Sequence, residues 1–137
     1  MPDPEIQKNT VAVIDIDSEI AGSGSGAITP EDVIGDLKKA SDDDSVKAVL
    51  LRINSPGGTA PASQEIAMEV ARFDKPIVAS IADVGASGAY MIASQCDEIV
   101  ASPSADVGSI GVILQVMNAS KALDKLGLEF TVVTSGK

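Results

Sequence analysis

The sequence contains no histidine, and that absence excludes more chemistry than any single residue present establishes. A Ser-His-Asp or Cys-His catalytic centre cannot be assembled within this chain. Imidazole-rich metal sites are excluded with it. A serine nucleophile here would need another base, and lysine is the main candidate. Aromatic residues are almost missing too: there is no tryptophan, one tyrosine and two phenylalanines. Since 45% of the residues are nonetheless hydrophobic, the core must be built from Val, Ile, Leu and Ala. That favours β-branched strands layered against alanine-rich helices. With one cysteine, Cys96, no intrachain disulfide can form. Cys96 sits among small and polar neighbours beside a predicted strand and reads as a small buried side chain. Basic residues are scarce, 10 against 20 acidic, for a net charge of −10. No basic patch is visible, so nucleic acid is not an expected partner. No run approaches the ~20 apolar residues that span a bilayer, and no secretory leader pattern opens the chain.

A length of 137 residues suits one domain. Residues 1–10 read as a disordered or arbitrary lead, and residues 11–137 as a single core domain. The stretch Ser135-Gly136-Lys137 stops abruptly after a strand-like run. The expectation is a fragment of something longer, soluble by itself.

The chain alternates strands and helices. Val11–Asp17 is apolar at its front, as expected for a strand covered on both faces. Gly22-Ser23-Gly24-Ser25-Gly26 follows. No Gly-Lys-Ser/Thr comes after it, so a flexible surface loop is expected rather than a phosphate cradle. Thr29-Pro30-Glu31-Asp32 carries the signals of a helix start: a capping hydroxyl, proline at the first position, acids in the first turn. Val33, Leu37 and Ala40 then share one helical face. The acidic run Asp42-Asp43-Asp44 ends that helix as a solvated turn, without the glycine turn or distal Glu of an EF-hand. Val46–Ile53 is a second strand, leading into Asn54-Ser55-Pro56-Gly57-Gly58. A helix from Pro61 to Arg72 presents Ile66, Val70 and Phe73 to the core. Strand 76–82 comes next, then a helix at 89–94 and a short strand at 97–101. Strand character runs again from Val107 to Val116. Asn118 caps a last predicted helix, with Ala119, Ala122, Leu123 and Leu126 on its apolar face, Lys121 and Lys125 on its solvent side and Gly127 ending it. Glu129–Thr134 is a final strand. Alternation of this kind implies parallel sheets with helical crossovers.

Two stretches carry candidate chemistry. Asp83-Val84-Gly85-Ala86-Ser87-Gly88-Ala89-Tyr90 joins a strand to a helix. A serine at such a turn exposes its hydroxyl beside the unpaired N–H groups and partial positive charge of a helix start. Those are the ingredients of a nucleophile with an oxyanion site. The same residues would also make a plain small-residue turn packed under a helix. In Asn54-Ser55-Pro56-Gly57-Gly58, proline fixes one backbone unit and two glycines free the next, so N–H groups can point at a ligand. An ordinary strand-to-helix turn would look alike. Tyr90 and Met91 would line a pocket or pack in the core. No metal site and no cofactor are called for.

Four ordered segments are together more specific than any of them alone. They are Asn54–Gly58, Gly85–Tyr90, Ala93–Pro103 and Gly108-Ser109-Ile110-Gly111-Val112. In this order and spacing the chain resembles the signal peptide peptidase A family of serine proteases, from about Val11 to Gly136. The resemblance implies an α/β fold of the Clp-protease/crotonase type, with stacked β-β-α units, mostly parallel strands and flanking helices. It implies a Ser-Lys dyad, with Ser87 as nucleophile. The amide of Gly88, with that of Gly57 or Gly58, would hold the oxyanion, and Ser109 would orient the base lysine. It implies peptide substrates left over from signal peptides and ring-like homo-oligomers. It also implies a parent protein anchored in the membrane by other segments, with its catalytic domain outside the cytoplasm. In the family the base follows a Ser-Gly pair in a pattern like Ser-Gly-x-x-Lys. After Ser135-Gly136 that position lies two residues beyond Lys137, which aligns with a variable position and is the base only as an alternative. Residues 1–137 are therefore expected to be inactive or nearly so. A different class, a crotonase-type acyl-thioester binding module or non-catalytic scaffold subunit, would share the oxyanion geometry. It would need neither Ser87 nor Ser109, and its coenzyme A site would need basic residues that are scarce here.

Overall fold

The computed structural model describes residues 9–119, 125 and 127–136. Four strands form the path of a parallel sheet in sequence order: β1 (Thr10–Ile16), β2 (Val46–Ser55), β3 (Ile77–Ala86) and β4 (Glu98–Ala101). A short fifth strand, β5 (Asp106–Gly108), also runs parallel to β3, beyond the end of β4. The crossovers are helices α1 (Pro30–Asp42) and α2 (Ala60–Ala71), with the short α3 (Gly88–Ala93) between β3 and β4. This is an α/β arrangement with flanking helices and mostly parallel strands, as the family resemblance implied.

The strand period of two decides which side chains meet the helices. Ile14, Leu51 and Ala79 lie side by side across β1, β2 and β3, as do Ile16 and Ile53 with Ile81, and all are buried. From the helices, Val33, Leu37, Ile66, Val70 and Ile92 close the same core. Fully burying one such side chain contributes about 1.5–3 kcal/mol. The stripes read from helical spacing in α1 and α2 are therefore the observed ones, with Phe73 packed at the edge. On the opposite face Val13 pairs with Leu50 and Leu50 with Val78, and Val13 is 56% exposed.

α1 begins where the sequence placed it. Thr29 Oγ1 accepts from the Asp32 amide at 3.3 Å, while Asp32 Oδ2 accepts from the Thr29 amide at 3.1 Å. This is a reciprocal capping box with Pro30 in the first turn. Its other end is closed from a distance: Lys75 Nζ donates to the carbonyls of Ala40 and Asp43 at 2.7 and 2.8 Å. The acidic run is exposed, and Asp43 accepts from the Ser45 amide and hydroxyl. The 22–26 loop is exposed.

Four expectations need correction. β3 does not stop at residue 82 but runs to Ala86, because Val84, Gly85 and Ala86 pair with β5. Strand character from 107 to 116 is interrupted, since Gly108 (φ +110°) and Ser109 (φ +54°) turn the chain out of β5. The next strand, β6 (Ile113–Ala119), leaves the main sheet and pairs with β7 (Gly127–Thr134). That pairing is antiparallel, where alternation had implied parallel strands. It also overturns the start of the last predicted helix. Asn118 pairs with Glu129 inside the ladder, Ala119 belongs to β6, and Gly127 opens β7 rather than ending a helix. Of the remaining residues of that helix, Lys125 is exposed, while Lys121, Ala122, Leu123 and Leu126 lie outside the described residues.

Candidate active site

The site grows from the point where β3 meets α3. Ser87 stands between them with φ +54° and ψ −122°. A positive φ is rare for a residue carrying a Cβ and costs of order 1–3 kcal/mol, so the surroundings must impose it. They do so by a backbone bond: the Ser87 amide donates to Gly108 O at 2.7 Å. β5 thus anchors the turn from one side. From the other, the Gly57 backbone (φ +94°) presses against it. A Cβ on Gly57 would lie 2.7 Å from Gly88 N and 2.9 Å from Ser87 Cβ. The two glycine-bearing loops identified in the sequence therefore meet at van der Waals distance.

The Gly57-Gly58 arm has a distinct division of labour. The Gly57 amide is buried and donates to Ser55 Oγ at 3.1 Å, so it is not free to face a ligand. Ile20 forms a parallel bridge with Gly58. In that bridge Ile20 N–H donates to Gly57 O and Ile20 O accepts from Thr59 N–H, both at 2.9 Å. Such a bridge uses the groups on either side of Gly58 and turns its own N–H away from the partner strand. The Gly58 amide nitrogen comes within 3.7 Å of where a Cβ on Gly88 would stand. Neither the Gly58 nor the Gly88 amide has an acceptor among the described residues. Two unspent N–H donors thus flank Ser87, one from each loop.

Around them opens a cleft of about 850 Å³. Ser87, Gly58, Gly88, Tyr90, Met91 and Ser109 all line it. Ile110, Val112 and Ile113 form its apolar far wall, 86%, 63% and 70% exposed. Among the described residues, no charged side chain lines it. Ser109 lies one residue past the carbonyl that holds Ser87, and shares its φ of +54°.

The described lysines are elsewhere. Lys38 Nζ pairs with Asp42 at 3.0 Å, Lys39 approaches Asp36, Lys47 and Lys75 donate to backbone carbonyls, and Lys125 is exposed. None lines the cleft. Lys137, the alternative base, lies outside the described residues. Burial pushes the Cys96 thiol up to about 12, assisted by Asp97, so it is a poor nucleophile near neutral pH. No cluster of metal-binding side chains occurs among the described residues, and no described helix is long and apolar enough to cross a membrane.

Two features were not read from the sequence. Ser55 was seen only as part of a turn motif, yet its side chain is completely buried between Ser18 and Gly57. Ser63, on α2, is buried with its hydroxyl unpartnered among the described residues, directly against the α-carbon of Gly88. A serine at an otherwise apolar helix position was the only signal for it.

Residues 70–137 match Peptidase family S49. The chain is 38% identical over 128 residues to protease 4 of Haemophilus influenzae, covering 88% of this chain and 20% of that protein. It is 35% identical over 113 residues to the chloroplastic serine protease SPPA of Arabidopsis thaliana, covering 81% of this chain and 17% of that one. The chain spans a third or less of the length of such relatives. Among solved structures, a mutant of the 1510-N membrane-bound stomatin-specific protease superposes with a TM-score of 0.71 at 19% identity, over 94% of this chain and 56% of that one. A mutant of Listeria monocytogenes ClpP1 gives 0.53 at 21%, over 61% and 46%. An enoyl-CoA hydratase/isomerase family member gives 0.52 at 21%, over 66% and 43%.

Proposed function

This chain belongs to peptidase family S49, and we propose that it is the core of a serine endopeptidase working through Ser87 and a lysine base. The observation that carries the reading is the strained Ser87 backbone held between two loops that each present one unspent amide. Ser87 Oγ attacks the scissile carbonyl carbon while its proton passes to a neutral lysine. The carbonyl oxygen, now negative, accepts from the Gly58 and Gly88 amides. The lysine returns the proton to the leaving amine, and water then releases the acyl group from Ser87 by the same path. Ser109, at the cleft wall, orients the lysine. A lysine in such a role needs desolvation to lower its pKa toward neutrality.

That lysine is none of Lys38, Lys39, Lys47 and Lys75, whose ammonium groups serve α1 and its C-terminal turn. With a base beyond Lys137, residues 1–137 alone should hydrolyse peptides slowly or not at all, whereas Lys137 as the alternative base would leave them active. The uncharged, partly apolar cleft suits apolar peptides, and remnant signal peptides cleaved by a membrane-associated homo-oligomer are the proposed substrates of the whole protein. An acyl-thioester binder fits less well, since no cationic side chain among the described residues lines the cleft to meet the phosphates of coenzyme A.

The test is turnover of an apolar tripeptide p-nitrophenyl ester by residues 1–137, and by the same chain extended by an alanine and a lysine. The extended chain should be at least ~100-fold faster, and Ser87→Ala should abolish the gain. Rapid Ser87-dependent turnover by residues 1–137 would remove the external lysine from the account. Saturable micromolar binding of coenzyme A would replace the peptidase reading with the thioester one.

A further inference from the structure

We propose that Ser55 is a positioning residue of the oxyanion site, setting the direction of the Gly58 amide through a buried hydroxyl relay. The inference rests on the peptidase reading for its catalytic meaning, but its geometry stands without it. Ser55 ends β2 and is completely buried. Its hydroxyl does two things at once. It donates to Ser18 O at 2.7 Å and accepts from the Gly57 amide at 3.1 Å. A serine hydroxyl has one proton, so spending it on Ser18 fixes the lone pairs toward Gly57.

The consequence appears when every polar group of the arm is followed. Gly57 N–H goes to Ser55, Gly57 O to Ile20 N–H, Thr59 N–H to Ile20 O, and Thr59 O to Ser63 N–H. The Gly58 amide is the donor left over among the described residues, and its nitrogen lies 3.7 Å from where a Cβ on Gly88 would stand. Pro56 offers no N–H that could compete. Segment Ser18–Ile20 thus backs the arm along its outer edge, and Ser55 is the side chain that ties the two together. The glycine-rich loop 22–26 is spanned at its base by a second bridge, Ile20 to Ile28, so Ile20 is held from both sides. Gly58 has no room for a side chain, because its Cβ would run into the Ile20 carbonyl. The arm is therefore set by backbone bonds and one hydroxyl.

Without that hydroxyl the Gly57 N–H, part of the Pro56–Gly57 peptide, loses its acceptor and that peptide can tilt; the Gly57–Gly58 peptide, which carries the Gly58 N–H, is then held only by the bond from Ile20 N–H to Gly57 O. A donor aimed away from the oxyanion position is worth little, since oxyanion stabilisation depends on preset direction. Binding of the ground-state peptide, which uses the cleft walls, is not affected in this way.

The experiment uses ¹⁵N-labelled residues 1–137 as wild type, Ser55→Ala and the near-isosteric Ser55→Cys. Amide shifts and hydrogen exchange are recorded first. A tripeptide boronic acid and the matching tripeptide amide are then titrated. In the free variants the Gly57 amide should exchange faster and the Gly58 resonance should move, while Gly88 stays in place. Boronate affinity should fall roughly tenfold or more for Ser55→Ala. The fall should be smaller for Ser55→Cys, and affinity for the peptide amide should hold within about twofold. If Ser55→Ala does not fold, Ser55→Cys carries the comparison. A folded variant whose Gly57 and Gly58 amides match the wild type would overturn the proposal, as would equal losses for boronate and amide. If the wild type binds no boronate while the amides shift as stated, the peptidase reading falls and the positioning of Gly58 by Ser55 stands.

Discussion

Gly57 and Ser87 are packed so closely that a methyl group on Gly57 would lie 2.9 Å from Ser87 Cβ, and 2.8 Å from the Ala86 carbonyl. Gly57→Ala would meet that crowding and also place a side chain at φ +94°. Each effect costs of order 1–3 kcal/mol. Thermal unfolding should show a marked loss of stability. Gly22→Ala, with nothing within 4 Å and an ordinary φ, should change the melting temperature little. Equal melting temperatures for the two variants would refute the contact.

Gly88 and Ser63 make a second close pair. Ser63 Oγ occupies the space of a Gly88 side chain and has no hydrogen-bond partner among the described residues. A buried hydroxyl left unpaired is unfavourable by about 1–3 kcal/mol. Ser63→Ala should therefore be neutral or stabilising in denaturant titrations, while Gly88→Ala should be destabilising. A strongly destabilised Ser63→Ala would reveal a partner for that hydroxyl.

Cys96 gives a pH signature. Its folded-state value, raised from 9.0 to about 12, favours the neutral thiol in the fold. That contribution to stability is complete below pH 9 and is lost as pH rises toward 12. Iodoacetamide should modify the native protein slowly at pH 8 and the urea-unfolded chain quickly. Fast labelling of the native state would contradict the burial.

Asp32 titrates in the opposite sense. The Thr29 hydroxyl and amide hold its carboxyl below the usual 3.8. Its contribution is present above that value and is lost as pH falls through the lower folded one. Thr29→Ala should lower the melting temperature at pH 7, and the difference from wild type should shrink at pH 2. A gap unchanged at pH 2 would mean that the cap does not work through the Asp32 charge.

Much of this architecture was legible because it is written locally. Thr29-Pro30 with Asp32 states a helix start, and Val33, Leu37 and Ala40 state its buried face. Pairs of glycines at strand ends state where loops come close. Other features depend on partners far along the chain. The strand β6 could not be told from a helix start at Asn118, because pairing with Glu129 outweighs a capping propensity. The extension of β3 to Ala86 rests on β5, more than 20 residues away. For the same reason the sequence left Gly57 and Gly58 as equal oxyanion candidates. Only the bond from Gly57 to Ser55 and the bridge to Ile20 separate them, leaving Gly58 with the free amide. Ser87 was legible from its setting, but the strain that presents it comes from Gly108, on another strand.

A crystal structure of residues 1–137 soaked with an apolar tripeptide boronic acid tests the central claim most directly, since boron bonds a serine oxygen without requiring the lysine. The account predicts boron bonded to Ser87 Oγ, with one boronate oxygen within hydrogen-bonding distance of both the Gly58 and Gly88 amides. Boron bonded to another residue, or to Ser87 with its oxygens turned away from those two amides, would contradict it.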